Sequence, residues 1–161
     1  MKYFVAQPSE NTCGIACLKT YLSLVSKDIN FKSLSYPKPI DQSYNLKELI
    51  DIAKQYGFEL QGIEFDNITD IIGPIILLSK DKTHAVTVVP LKLGLYKIYD
   101  PNIGIIYKNK KYIEKSFSNV ALVCEHYEIK DMDDAPYSYP KPNTLEFSNI
   151  HYEFCCIIHI L

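Results

Sequence analysis

The sequence predicts an α+β fold in which N-terminal helices pack on an antiparallel β-sheet. Apolar residues recur at helical spacing in the first third of the 161-residue chain. From residue 58 to residue 125 the pattern changes to short alternating or continuous apolar segments of strand length. Turn residues at 92–94 and 102–104 separate these segments closely enough for hairpins, which make antiparallel pairs. Helices followed by hairpin-linked strands are typical of α+β domains.

Two amphipathic helices are predicted before the sheet. After an extended lead-in, the first is expected to begin near Cys13, with Asn11 or Thr12 as its N-cap. The second is expected over residues 46–56, and Gly57 follows it in the position of a C-terminal cap. The apolar face of the first helix consists of Ala16, Leu18, Tyr21, Leu22 and Val25.

The remaining segments are predicted from their turn residues and apolar patterns. Residues 28–44 contain two prolines and are expected to form a loop with at most a short helical turn. Residues 111–117 suit one or two turns of helix. Strands are expected over residues 58–65, 74–79, 84–90, 95–100, 104–107 and 120–125.

Size, charge and cysteine content restrict the possible functions. The chain is long enough for one domain with its own core. Its net charge of -2 provides no electrostatic basis for binding nucleic acid, and its basic side chains are lysines without a single arginine. No apolar stretch reaches the roughly 18 residues that span a membrane, and the N-terminus lacks a signal-peptide core. Five cysteines in this context indicate a reducing, cytoplasmic setting rather than a disulfide framework.

Cys13 is the candidate nucleophile. A thiol attacks carbonyl carbon as the thiolate, and the ordinary pKa of a cysteine is about 8.5. At a helix N-terminus the unpaired N–H groups and the helix dipole stabilise that anion. Gly14 follows directly and adds no side chain that would crowd an approaching carbonyl. A single cysteine of this kind is more often a small core residue, so the prediction depends on the groups that could assist it.

His84 and Asp100 are the candidate base and its partner. His84 stands at the start of one predicted strand, and Asp100 stands at the end of the next. If these strands pair through the turn at 92–94, the two residues become cross-strand neighbours. A carboxylate beside an imidazole fixes its tautomer and stabilises its charged form. The alternative is an unrelated edge histidine and a turn aspartate before Pro101.

Gln7 lies six residues before Cys13 and is the candidate oxyanion donor. A side-chain amide upstream of the nucleophile can donate to the negative charge that develops on the carbonyl oxygen, beside the backbone N–H of Cys13. The alternative is a solvated side chain in an extended segment. Gln7 therefore supports the prediction of an active site only in combination with the other three residues.

These residues together resemble the bacteriocin-processing cysteine peptidases. The resemblance rests on Gln7, the run Cys-Gly-Ile-Ala-Cys-Leu at 13–18, His84 with the strand that follows it, and Asp100 before proline. It covers about residues 1–125. Members of that family have a papain-like fold and cut leader peptides after a double glycine. They usually form the N-terminal cytosolic domain of a peptide-exporting ABC transporter.

The resemblance implies a role for each residue. Cys13 is the nucleophile and His84 the general base and acid, while Asp100 orients His84 and Gln7 donates to the oxyanion. It also implies a peptide or protein substrate such as a double-glycine leader, an ABC exporter as partner, and no metal or cofactor. Two alternatives remain open: an inactive domain that only binds the leader peptide, and a thiol acyltransferase or amidase that uses the same residues.

The other cysteines suit packing better than chemistry. Cys17 lies four residues after Cys13, on the same face of the predicted helix, and is expected in the core. A redox partner or a metal ligand is the alternative, but the sequence has no C-x₂-C pair of the kind that zinc prefers. Cys124, Cys155 and Cys156 are expected to pack in the sheet or in the C-terminal segment.

The composition divides the chain near residue 125. Residues 1–125 are expected to form the peptidase domain. Residues 126–161 are expected to be an acidic, proline-bearing linker followed by an apolar C-terminal extension that docks on the core. Docking on a sheet edge would make the extension structural, and docking in the substrate groove would make it inhibitory. The structural role is favoured because the segment lacks a glycine pair that could imitate a cleavage site.

Overall fold

The computed structural model describes residues 2–41 and 43–124. This part of the chain forms three α-helices and six β-strands, joined by loops and short 3₁₀ turns. The helices are α1 (Cys13–Ser26), α2 (Leu46–Gln55) and α3 (Lys110–Ser116). The strands are β1 (Leu60–Glu64), β2 (Ile75–Ser79), β3 (Ala85–Pro90), β4 (Leu95–Asp100), β5 (Gly104–Asn109) and β6 (Phe117–Cys124). The linker and docked extension expected over residues 126–161 lie outside the described residues.

The six strands form one antiparallel sheet in the order β1-β6-β2-β3-β4-β5. Strands β2 to β5 follow one another as neighbours, and β6 returns to lie between β1 and β2. The predicted α+β fold, with N-terminal helices packed on an antiparallel sheet, is confirmed. Among the helices formed by residues 2–41 and 43–124, none has the length and hydrophobicity needed to cross a bilayer.

Apolar side chains alternate along the strands and are buried against helices on both faces of the sheet. On one face, Ile76 and Ala85 belong to a core shared with α1 and α2. On the other face, Leu77 and Val86 belong to a core shared with Ile113 of α3. Helix α1 packs across β3 and β2, and this contact brings its N-terminal turn to the start of β3.

Both ends of helix α2 are marked by residues that stabilise a helix terminus. The Asn45 side chain accepts the N–H of Glu48 at 2.9 Å, and the Glu48 carboxylate accepts the N–H of Asn45 at 2.8 Å. This reciprocal capping box satisfies N–H groups that a helix start leaves unpaired. After the helix, Gly57 has φ +82°, a left-handed conformation that glycine adopts without strain.

Several predicted boundaries are wrong by two or three residues. Strand β1 begins at Leu60 and not at residue 58, because the N–H of Phe58 is still bonded to Ala53 O at the end of α2, at 3.1 Å. Strand β5 extends to Asn109, whose side chain then caps α3 by accepting the N–H of Tyr112 at 3.1 Å. Strand β6 begins at Phe117, directly after α3.

Candidate active site

Cys13 is the first residue of α1, as the sequence predicts, and it is half-buried. A single 3₁₀ turn over Glu10–Thr12 leads into the helix. Thr12 is the N-cap residue, as predicted, but its side chain makes no capping bond to the helix. Its hydroxyl donates to Ser9 O at 2.7 Å and accepts the N–H of Ser9 at 3.2 Å. Two backbone N–H groups act on the Cys13 sulfur and lower the pKa of its thiol: that of Ala85 in β3 and that of Gly14 in the first turn of α1.

Gly14 lies where α1 faces α2 and the loop before it. A Cβ at this position would lie 3.4 Å from Leu49 Cδ1 and 3.5 Å from Tyr44 Cβ, which are ordinary van der Waals distances. The role expected for Gly14, leaving room for the substrate carbonyl, stays a prediction.

Helix α1 is fixed to the sheet by a buried hydrogen bond. The Thr87 hydroxyl, fully buried on β3, donates to the carbonyl of Cys17 at 3.1 Å. Cys17 lies one helical turn after Cys13, and Thr87 lies three residues after His84. The bond therefore joins the two elements that carry the nucleophile and the imidazole, close to both residues.

His84 directly precedes β3 and contacts both partners predicted for it. Its Nε2 lies 2.9 Å from Asp100 Oδ1 at the end of β4. The second ring nitrogen remains for Cys13, and a hydrogen bond joins the imidazole to that thiol. Because Thr87 pairs with Tyr99, Asp100 stands opposite Val86, so His84 and Asp100 are diagonal cross-strand neighbours and not a directly opposed pair.

Asp100 is buried and held by its own loop. Its carboxylate accepts the N–H of Asn102 at 2.9 Å and lies 3.4 Å from the N–H of Ile103. Burial acts to raise the pKa of this carboxyl, but the hydrogen bonds from His84 and Asn102 outweigh burial and lower the pKa below 3.8. Asp100 is therefore ionised at neutral pH and faces the imidazole as an anion.

The electrostatics of the three residues favour a thiolate beside an imidazolium. The hydrogen bond with Asp100, followed by the one with Cys13, raises the pKa of His84 to about 9. Burial acts to raise the pKa of the Cys13 thiol, yet the His84 hydrogen bond and the two backbone N–H groups lower it below 9.0. A charge pair of this kind is the reactive form of a catalytic cysteine.

Gln7 lies at the same end of β4 as Asp100. Its backbone N–H donates to the carbonyl of Pro101 at 2.9 Å, and the N–H of Val5 donates to the Thr20 hydroxyl of α1 at 3.0 Å. The lead-in is therefore fastened both to the sheet and to the helix that carries Cys13. The Gln7 amide oxygen is buried and has no hydrogen-bond partner among the described residues.

Cys17 and Cys124 occupy structural positions. Cys17 is fully buried in the core, and burial, followed by the charge of Cys13, raises the pKa of its thiol well above 9.0. Cys124 lies half-buried at the end of β6, where its N–H donates to the Tyr21 hydroxyl at 2.8 Å. Cys155, Cys156 and the histidines at 126, 151 and 159 lie outside the described residues.

The residue that sequence reasoning missed is Ser79. It ends β2 and holds the backbone of His84 through its hydroxyl and its N–H. The only signal was local: serine, aspartate and threonine at 79, 81 and 83, directly before the histidine, are residues that favour side-chain-to-backbone bonds in turns.

Comparison with known proteins identifies relatives over most of the described residues. The probable microcin-H47 secretion/processing ATP-binding protein MchF of Escherichia coli is 28% identical over 121 residues, which cover 73% of this chain and 17% of the relative. The sublancin-168-processing and transport ATP-binding protein SunT of Bacillus subtilis (strain 168) is 26% identical over 144 residues, covering 83% of this chain and 20% of the relative. The chain thus spans about a fifth of the length of the curated relatives it matches.

Two solved structures share the fold. A double glycine motif protease from an AMS/PCAT transporter, in complex with the leader peptide, superposes with a TM-score of 0.64 at 21% identity, covering 75% of this chain and 89% of that one. The peptidase domain of Streptococcus ComA, a bi-functional ABC transporter, gives a TM-score of 0.60 at 20% identity and covers 77% and 98%. The model of the peptidase C39 family matches residues 1–128. The resemblance predicted from the sequence is confirmed, and the chain belongs to the peptidase C39 family.

Proposed function

We propose that residues 1–125 form an active cysteine peptidase that cleaves a leader or precursor peptide through an acyl-enzyme. The observation that carries the proposal is the contact of one imidazole with a carboxylate, 2.9 Å away, and with the thiol at the start of α1. An inactive peptide-binding domain has no need for a thiol whose pKa is lowered by a neighbouring imidazole. The chain belongs to a peptidase family, and this contact supports catalysis by this particular member.

The mechanism follows from the position of each group. The Cys13 thiolate attacks the scissile carbonyl carbon, and the carbonyl oxygen gains negative charge. The side-chain amide of Gln7 and the backbone N–H of Cys13 donate to that oxygen. His84 gives its proton to the leaving amine and then takes one from the water that releases the acyl group, while Asp100 keeps the imidazole oriented.

The substrate and the partner are proposed by analogy with the relatives. Those relatives are named as secretion and processing proteins, and the structural neighbour at TM-score 0.64 is a double glycine motif protease bound to its leader peptide. We therefore propose a double-glycine leader as substrate and an ABC exporter, on the cytoplasmic side of its membrane, as partner. Because the identity to these proteins is low, the residues on either side of the cleaved bond in the substrate are the first property to determine.

The experiment that tests the proposal combines labelling with cleavage. A short peptide ending in Gly-Gly-aldehyde is expected to modify Cys13, and a peptide with an internal Gly-Gly is expected to be cut after the second glycine, both measured by mass spectrometry. The Cys124→Ala variant, which retains Cys13, is the control and is expected to behave as the wild type. Binding of the peptide with neither labelling of Cys13 nor cleavage would support the binding-only alternative. Transfer of the acyl group to an added amine, in place of hydrolysis, would support the acyltransferase alternative.

The Gln7→Ala variant is expected to lose turnover with little change in substrate affinity. One oxyanion donor contributes roughly a hundredfold to a thousandfold to kcat, because it bonds the oxygen only as charge develops. The backbone bond to Pro101 does not depend on the side chain, so the lead-in stays in place. Steady-state kinetics check this, with Gln61→Ala in β1 as the matched control. A variant that changes KM alone would remove Gln7 from the oxyanion role.

The Asp100→Asn variant is expected to lose less activity than variants of Cys13 or His84. Asparagine keeps an oxygen near His84 Nε2 but removes the charge, and the bond to Asp100 is the largest cause of the raised pKa of His84. His84 should therefore lose its proton well below pH 9, and the alkaline limb of the kcat/KM profile should move to lower pH. NMR titration of the imidazole measures the same change, with Asp70→Asn as control. An unchanged alkaline limb would contradict the role of Asp100.

A further inference from the structure

The hairpin between β2 and β3 departs from regular pairing at its last residue pair, Ser79 and His84. The N–H of Ser79 donates to His84 O at 2.8 Å, as the antiparallel ladder requires. A regular pair would return a second bond from the N–H of His84 to Ser79 O. Instead, that carbonyl accepts the N–H of Lys82 at 2.9 Å, and the N–H of His84 donates to the Ser79 hydroxyl at 3.0 Å.

The tight turn between β2 and β3 explains why the N–H of His84 bonds to the Ser79 hydroxyl and not to the Ser79 carbonyl. Lys82 has φ 59°, and this left-handed residue bends the chain so that Ser79 O closes the turn. The N–H of His84 then lacks its ladder acceptor, and the Ser79 hydroxyl replaces it. That hydroxyl donates its own hydrogen to Asp81 Oδ1, which also accepts the N–H of Thr83 at 3.2 Å. A hydroxyl can donate and accept at once, whereas an aliphatic side chain can do neither.

The other side of Ser79 is also fixed. Leu77 pairs with Ala121 in β6, and regular spacing would pair Ser79 with Asn119, but Ser79 pairs with Phe117 across an irregularity in the ladder. The N–H of Lys80 donates to Ser116 O at 3.2 Å, just beyond that irregularity. Such irregularities redirect a strand end locally. Ser79 is therefore held by β6 on one side while it holds His84 on the other.

We propose that Ser79, oriented by Asp81, is a positioning residue that sets the backbone of His84 and through it the alignment of the imidazole with Cys13 and Asp100. Ser79 touches neither substrate nor sulfur in this role. The imidazole must meet Cys13 and Asp100 with its two nitrogens at the same time, so a small rotation of the His84 backbone weakens both contacts. The catalytic part of this inference rests on the proposed peptidase function, whereas the alignment itself can be measured without any substrate.

The measurable consequence is the reactivity of Cys13. The groups acting on the thiol and the imidazole are Asp100 from β4, the backbone N–H groups of Gly14 and Ala85, and the two residues themselves. Burial raises the pKa of Cys13, and the His84 bond is the largest of the opposing causes. If that bond weakens, less thiolate is present at neutral pH. Ser79→Ala is therefore expected to alkylate Cys13 roughly three- to tenfold more slowly at pH 7, the effect of losing about one hydrogen bond.

The test measures the rate of Cys13 modification by iodoacetamide from pH 5 to pH 10, with the modified residue identified by mass spectrometry. Ser79→Ala should shift the profile to higher pH, and Ser79→Thr, which retains a hydroxyl, should restore it. Ser118→Ala, a half-buried serine with only local bonds to Val120, is the matched control and should leave the profile unchanged. An unchanged profile in Ser79→Ala, or a threonine variant as slow as the alanine variant, would overturn the proposal.

The Asp81→Ala variant and the kinetics of peptide cleavage provide two further tests of the role of Ser79. Asp81 is exposed, so Asp81→Ala should fold even if Ser79→Ala does not, and it should shift the profile in the same direction by a smaller amount. An Asp81→Ala profile that matches the wild type would contradict the orienting role of Asp81. With a cleavable peptide, Ser79→Ala should lower kcat and leave KM unchanged. Absence of cleavage by the wild type would refute the proposed function, while the alkylation profile would still decide the role of Ser79.

Discussion

Replacement of Cys13 with alanine is expected to abolish peptide cleavage and to leave the fold intact. Cys13 supplies the atom that forms the covalent bond, and no other described thiol can replace it, because Cys17 is fully buried and Cys124 lies at the far end of β6. Loss of a nucleophile from a unit of this kind lowers turnover by about four to six orders of magnitude. Single-turnover cleavage followed by mass spectrometry measures the loss directly.

The fold should tolerate Cys13→Ala because the side chain is small and only half-buried. Circular dichroism and the melting temperature should match those of the wild type within a few degrees, since alanine also favours the first turn of a helix. Cys124→Ala is the matched cysteine control and should keep full activity. Substantial cleavage by the Cys13→Ala protein, with the substitution verified by mass, would refute the mechanism.

Replacement of His84 with alanine is expected to be about as damaging, for a different reason. The variant keeps the thiol but loses the base, the acid and the charge that stabilises the thiolate. Burial is the largest single influence on the pKa of Cys13 and acts to raise it, so loss of the imidazole should raise that pKa. The variant should therefore lose both cleavage and alkylation at neutral pH, and regain alkylation only under alkaline conditions.

The double variant Cys13→Ala/His84→Ala distinguishes the catalytic role of His84 from general damage to the site. Because Cys13 and His84 act as a unit, removing both should cost little more than removing either one. The pH dependence of alkylation in His84→Ala, compared with that in Gln61→Ala, shows whether the imidazole controls the thiol. An alkylation profile that stays at wild-type pH in His84→Ala would mean that the helix N-terminus alone sets the reactivity of Cys13.

Most of the fold could be predicted because its elements have clear periodicities and end signals. The apolar face of α1 and the capping residues of α2 mark helices, and the spacing of Lys92–Gly94 between two apolar runs marks a hairpin. The position of β6 between β1 and β2 could not be predicted in this way. That pairing depends on contacts between residues roughly 40 to 60 positions apart in the sequence, which local patterns do not reveal.

The candidate site, like the fold, could be predicted only in part from the sequence. Cys13, His84 and Asp100 could be found because their residue types and element ends limit the chemistry, and the structure brings all three together. Their diagonal register could not be predicted, since a hairpin pattern leaves the pairing offset open. The turn residues around Ser79 were not enough to predict its role, because that role depends on a missing ladder bond: the His84 N–H bonds to a hydroxyl in place of a carbonyl.

The buried bond from Thr87 to Cys17 joins residues 70 positions apart. Before the sheet has assembled around this bond, α1 has no imidazole beside it, and Cys13 is a cysteine of ordinary acidity. The part of the Cys13 reactivity that depends on His84 is therefore absent from the unfolded chain. It arises only when contacts between distant parts of the chain have placed β3 beside α1, so its appearance during refolding reports the assembly of the sheet on this helix.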